Sequence, residues 1–159
     1  MNINIICVGK IKEAYYREAL EEYIKRLSKY CKTDVTEVKD EQTKDGASAR
    51  EDEIVRETEG QRILSKIPDG AYVIATAIEG KKLDSEQFAG LIDSLGVKGI
   101  SRLVFIIGGS LGLSDEVKKR ADILLSFSDM TYPHQLMRVI LAEQIYRAYR
   151  IIKGEPYHK

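Results

Sequence analysis

The sequence predicts an α/β domain with a mainly parallel sheet and helices on both faces. Three observations predict it. Apolar runs of strand length alternate with stretches of helical period along the whole chain. Most of those runs are apolar throughout, which marks strands covered on both faces. The length, 159 residues, is that of one ordinary domain that can bury a core without disulfides or metals. No linker, repeat or low-complexity segment divides it, so residues 1–159 are expected to form a single domain.

Residues 2–8 form a short buried strand ending at Gly9. Residues 13–28 are helical: Tyr16, Leu20, Tyr23, Ile24 and Leu27 recur at three- and four-residue spacings. Residues 33–38 alternate and give a second strand. Residues 39–48 are polar, contain Gly46 and have no apolar period, which predicts a mobile surface loop. A charged helix spans about residues 49–66 and is closed by Pro68-Asp69-Gly70. Its Glu51, Asp52, Glu53, Glu57 and Glu59 read most simply as a solvated face. Residues 71–78 are a buried strand and 85–95 an amphipathic helix. Residues 103–107 are a continuous apolar strand, and 114–120 a short helix with Ser114 as N-cap. Residues 123–127 are a last short strand, and 133–152 a long helix with Pro133 in its first turn. That helix is apolar over more than one face, so it is either central or covered by a partner, and we expect a homodimer.

Charge narrows the function classes. With 25 basic and 25 acidic residues there is no global positive field to gather nucleic acid. Residues 1–80 hold 13 basic and 16 acidic groups, and residues 81–159 hold 12 and 9, so a polyanion would be met by a local patch in the second half. Cys7 and Cys31 make neither a disulfide framework nor a ligand set, and the two histidines lack metal-ligand neighbours at suitable spacing, so no metal is expected. No segment reaches membrane-spanning length, and the opening run is too short for a secretory signal, so a cytoplasmic protein without membrane partners is expected.

Three segments can carry chemistry. The strand at 103–107 opens into Gly108-Gly109-Ser110-Leu111-Gly112, where paired glycines let backbone approach a ligand. A tight strand-to-helix turn is the equal alternative. The loop Ser126 to His134 mixes small hydroxyl residues with apolar ones at the next strand end. The tail Gly154-Glu155-Pro156-Tyr157-His158-Lys159 offers an aromatic ring, an imidazole and a cation after a helix bearing Arg138, Arg147 and Arg150. Such residues contact phosphates and stack on unpaired bases, although a solvated end is the plainer reading of the tail alone. The glycine turn also matches G-x-S-x-G, the nucleophile elbow of serine hydrolases, with Ser110 as nucleophile. Against this, the elbow needs its helix to start almost at the serine, and the chain lacks room for the usual hydrolase sheet and cap.

Taken in order, the motifs resemble a known family. Ile-Gly-Gly-Ser-x-Gly-Leu (107–113), Leu-Ser-Phe-Ser-x-Met-Thr-x-Pro-His (125–134), Met137-Arg138-Val139, Glu143 to Ala148 and Pro156-Tyr157-His158 are similar to the SPOUT superfamily of RNA methyltransferases, in its branch acting on large-subunit ribosomal RNA. Val8-Gly9-Lys10, Glu59 to Leu64 and the length fit as well. The resemblance implies a C-terminal trefoil knot, an exception to general topology rules. It implies a homodimer that transfers a methyl group from S-adenosylmethionine to N3 of a pseudouridine in 23S ribosomal RNA, on the assembled bacterial ribosome. The cofactor is then expected at Thr76, Gly108, Phe127, Ser128, Asp129, Met130, Thr131 and Tyr132; relatives carry leucine where this chain has Thr76. Arg138 is expected to stabilise charge on the base, and Tyr157 and His158 to orient it or relay its proton, with the partner subunit as a possible source of the tail. A non-enzymatic ribosome-binding factor with a nucleotide-like pocket is the reading from another class.

Overall fold

In a computed structural model that describes residues 1–159, strands and helices alternate strictly. The order is β1 (Asn2–Val8), α1 (Ala14–Leu27), β2 (Lys32–Val38), α2 (Ala49–Leu64), β3 (Tyr72–Lys82), α3 (Ser85–Val97), β4 (Arg102–Ile107), α4 (Asp115–Arg120), β5 (Ile123–Ser126) and α5 (His134–Ile152). All five strands join one sheet in the order β2-β1-β4-β3-β5, and every pair is parallel. Ile5 on β1 lies opposite Val35 and Phe105, and Ile74 on β3 lies opposite Phe105 and Ile123.

Successive residues of a strand point to opposite faces, so one apolar run feeds two cores. Ile3, Ile5, Cys7, Leu103, Phe105 and Ile107 join Leu27, Phe88, Ile92, Leu141 and Ile145 on the face covered by α1, α3 and α5. Ile6, Val8, Val104 and Ile106 join Ile63 and Val117 on the face covered by α2 and α4. Each large side chain buried this way contributes about 1.5–3 kcal/mol. Cys7 and Cys31 are buried free thiols. Burial pushes the Cys7 thiol up to about 12, so it behaves as a small core residue.

The structure departs from the sequence reading at four places. β3 runs on to Lys82, because its register with β5 breaks and restarts: Thr76 and Lys81 both pair with Leu125. Gly80 makes the detour possible, since a Cβ there would lie 2.6 Å from the Leu124 carbonyl carbon. β5 stops at Ser126 and leaves Phe127 in the following loop. The loop at 39–48 is anchored at its start: Arg62 Nη1 donates to Lys39 O at 2.8 Å, and Glu41 N–H donates to Glu59 at 3.0 Å. Glu59 is therefore no part of a solvated face; it is buried at 4 % exposure. Finally, the apolar breadth of α5 is largely used within the chain. The helix packs against both α1 and α3, and Leu141, Ala142, Ile145 and Ala148 are fully buried.

Candidate functional site

The carboxyl ends of β4, β3 and β5 meet at one edge of the sheet, where open parallel sheets hold ligands. Ile107 closes β4, and the chain turns at once. Gly112 N–H donates to Gly109 O at 3.1 Å, and Gly112 has φ +82°, in the left-handed region. A Cβ on Gly108 would come 3.0 Å from the Gly112 carbonyl carbon. A Cβ on Gly109 would come 2.9 Å from Glu59 Oε1 and 3.1 Å from Val8 Cγ1. Both readings of the turn thus apply: the glycines are required by its tightness, and the turn also walls a cavity. Ser114 then starts α4 by accepting from Val117 N–H at 3.3 Å.

The loop after β5 is folded by its serines. Ser126 Oγ donates to Ser128 O at 3.2 Å, and Met130 N–H donates to Ser128 Oγ at 2.9 Å. Between this loop and the glycine turn lies a cavity of about 480 Å³. Its walls are Thr76 to Glu79 at the β3 detour, Gly108, Gly109, Leu111 to Leu113, and the loop residues Ser126 to Ser128 and Met130 to Tyr132. Arg56 of α2, Asp115 and Lys118 of α4, and His134 and Met137 of α5 complete it. Ile78, Met130 and Tyr132 are unusually exposed for apolar residues, at 55 %, 73 % and 37 %. An open apolar rim over a few polar groups is the arrangement of a small-molecule site.

Seven of the eight positions expected at the cofactor line this cavity: Thr76, Gly108, Phe127, Ser128, Met130, Thr131 and Tyr132. Asp129 is not among them, and its carboxylate accepts from Lys82 Nζ at 2.5 Å instead. The Thr76 hydroxyl donates to Ile106 O at 3.0 Å. Its polar atom is thus satisfied inside the sheet, and the methyl is what Thr76 can offer a ligand.

The expected catalytic residues are not gathered there. Arg138 has no exposed surface; it donates to Val8 O at 2.8 Å, Gly9 O at 2.9 Å and Glu37 Oε2 at 2.8 Å. It does not line the cavity within this chain. Tyr157 donates to Glu143 Oε1 at 3.1 Å. Burial and that carboxylate push its phenol up to about 12. His158 Nδ1 lies 3.2 Å from Arg147 Nη1, and the Arg147 guanidinium stacks 4.7 Å over the Tyr157 ring. The tail is thus folded onto the C-terminal half of α5, whereas the cavity touches its first turn. Along α5, Glu143 and Arg147 lie nine and thirteen residues beyond His134, a rise of about 14 and 20 Å.

Five charged or titratable groups of the cavity, Glu79, Lys118, Arg56, Asp115 and His134, carry no assignment from the sequence. Glu79 and Lys118 form an ion pair at 2.5 Å across the rim. Arg56 belongs to the charged helix, where nothing sets one arginine apart. His134 is the last letter of a motif, and its place at a helix start hides any other role. Burial pushes its imidazole below the usual range, with Arg138 and Lys12 acting the same way and Asp40 against them. Ser110 sits on the bridged turn, and α4 begins only at Asp115, so the hydrolase elbow geometry is absent. No three His, Cys, Asp or Glu residues cluster as a metal site, and no helix is long and apolar enough to cross a membrane.

Comparison with known proteins agrees with this geometry. A family model described as a predicted SPOUT methyltransferase matches residues 1–158. Proteins named ribosomal RNA large subunit methyltransferase H are similar over their full length and that of this chain. Identity is 62 % for the one from Clostridium beijerinckii, 59 % for that from Clostridioides difficile and 56 % for that from Clostridium kluyveri.

Proposed function

The chain belongs to the SPOUT methyltransferase family, and from that premise we propose that it methylates large-subunit ribosomal RNA, using S-adenosylmethionine, at N3 of a pseudouridine on the assembled ribosome. The trefoil knot of the fold comes with that membership. We read residues 1–159 as one catalytic domain that acts as a homodimer in the cytoplasm. The observation that carries the cofactor assignment is the cavity at the strand ends, walled by seven of the eight positions expected to hold the cofactor. At about 480 Å³ it falls in the ~300–1,000 Å³ range of small-molecule sites. Phe127, Leu111 and Leu113 give it the apolar surface that a purine needs.

When bound there, the cofactor supplies a methyl group already activated by a sulfonium charge. What the chain must do is hold, orient and keep water out. In this reading the backbone of residues 127–132 binds the base of the cofactor, Gly108 admits close approach, and the Thr76 methyl replaces an apolar wall contact. Arg138 acts as a positioning residue, because its guanidinium ties the carboxyl ends of β1 and β2 to the first turn of α5. Tyr157 and His158 orient the target base from the second subunit, since in their own chain they are tied to Glu143 and Arg147 and do not line the cavity.

Titration calorimetry with S-adenosylmethionine, followed by methyl transfer to ribosomes lacking the modification, tests the reading. Saturable binding and incorporation into large-subunit RNA are expected. Binding without transfer favours a ribosome-binding factor. Failure of both removes the assignment.

A further inference from the structure

We infer that His134 accepts the proton released by the target base during methylation and passes it to a second, polar compartment on the far side of its ring. The inference rests on the methyl-transfer reading above. Methylating a ring nitrogen that carries hydrogen leaves one proton to be placed, and a base of matched strength near the reaction assists that step.

Six titratable side chains line the cavity: Arg56, Glu79, Asp115, Lys118, Tyr132 and His134. Arginine and lysine are protonated at neutral pH, and the phenol of a tyrosine keeps its proton. Glu79 is held by Lys118 at 2.5 Å, which pushes its carboxyl down. The other acid of the lining is Asp115, and carboxylates as a class are weaker bases than imidazoles. Both carboxylates are therefore weak bases. His134 is left.

Its position gives the proton a way out. Beyond the cavity lies a separate cleft of about 310 Å³ at the carboxyl ends of β1 and β2. Asp40, Glu41, Thr43, Lys44, Glu59 and Ser110 line it. Only two residues border both spaces, Gly109 and His134. The partition is thus a glycine backbone and an imidazole. An imidazole has two nitrogens, and it can take a proton on one side while releasing one on the other.

The surrounding charges suit that cycle. His134 opens α5, whose amino end disfavours a cation, and Arg138 follows one turn later. Arg138 and Lys12 hold the ring neutral at rest, while Asp40 favours the protonated form. Glu41 and Glu59 add carboxylates on the cleft side, and Arg56 and Lys118 add cations on the cavity side. The free ring is ready to accept, and once charged it is drawn toward the acidic cleft. In the step itself the N–H bond of the base breaks to the imidazole. The nitrogen bonds the methyl carbon as the carbon–sulfur bond breaks. A neutral thioether and an imidazolium remain, and the imidazolium loses its proton through the cleft to water.

The chain has two histidines, so in His158→Gln the imidazole of His134 is the sole one. Its NMR titration, followed in the free protein, is expected to show a midpoint below 6.5. Its resonances are expected to shift on adding S-adenosylhomocysteine. Single-turnover transfer by the wild-type chain should fall on the acid side with a similar midpoint. His134→Gln should lose about 100-fold or more in that rate, lose the acid limb, and keep cofactor affinity within a few-fold by calorimetry. Added imidazole should restore part of the rate to His134→Ala. A His134→Gln chain that transfers at the wild-type rate, or keeps the acid limb, overturns the inference. So does a ring that titrates above 6.5 or ignores the cofactor product. Absence of transfer by the wild-type chain sinks the methyltransferase reading itself.

Discussion

Arg138 binds acceptors 101, 129 and 130 residues away in sequence: Glu37, Gly9 and Val8. A fully buried guanidinium that meets one carboxylate and two carbonyls is costly to disturb, because each acceptor is left behind when the donor goes. Arg138→Met should destabilise the chain by about 3–5 kcal/mol in urea unfolding, a loss of stability that a purely catalytic arginine would not show. Glu59 is the opposite case. Burial pushes its carboxyl up, with Asp40 and Glu41 reinforcing, while the Glu41 N–H and Arg62 act against them. A carboxyl with a raised folded value binds its proton more tightly folded than unfolded. Stability therefore declines as pH rises from the ordinary carboxylate value through the raised one. Glu59→Gln should flatten that part of the stability–pH curve, and an unchanged slope would assign it to other groups. Neither role was legible in the sequence. From the sequence Arg138 is expected to act on the base and Glu59 is one acid among five, because the partners that define them lie on other elements.

Helix α2 meets α4 through Gly60, and a Cβ there would lie 2.3 Å from Ser114 Oγ and 3.0 Å from Ser114 Cβ. Ser114 is also the N-cap of α4, which carries Asp115 and Lys118 into the cavity wall. Gly60→Ala should lower the melting temperature by several degrees, as about 1–3 kcal/mol of overpacking implies, and weaken cofactor binding. Adding Ser114→Gly should recover part of both, since glycine at an N-cap costs only a few tenths of a kcal/mol. Loss of binding without loss of stability would mean that α2 acts on the site by another route. Elements of this kind are where sequence and structure agree best. Four strands follow from their apolar runs and β2 from its alternation, and the start of α4 at Ser114 follows from cap chemistry. The β3 detour is missed because residues 77–80 give no periodic signal; only the close approach of Gly80 to Leu124 shows it. The strand order is likewise invisible, since nothing local in β5 says that it will pair with β3.

For the whole molecule, the distance between cavity and tail sets the main expectation. If the tail works in the second subunit, a chain with a dead tail and a chain with a dead cavity complement each other. His158→Ala mixed equally with Thr131→Trp, a bulky residue at the cavity wall, should restore about a quarter of wild-type transfer when subunits exchange at random. Neither variant alone should be active, and an inactive mixture would place the tail in its own subunit. The cavity was legible through its motifs because loops that hold a ligand are set by short runs of residues. The tail's location was not, because it depends on Tyr30, Lys29 and Arg150 gathering around Glu155, and on Glu143 receiving Tyr157.

The sheet order also governs how the chain comes into being. β1 finds β2 early, but its other edge waits for β4, and the carbonyls of Val8 and Gly9 wait for a guanidinium 130 and 129 residues later. At a synthesis rate of about 5–20 residues per second, that wait is on the order of ten seconds. During it, one of the most apolar strands has an open side. The newborn chain therefore depends on its last-made third for protection of its first, and any truncation before α5 should yield aggregation rather than a smaller stable protein.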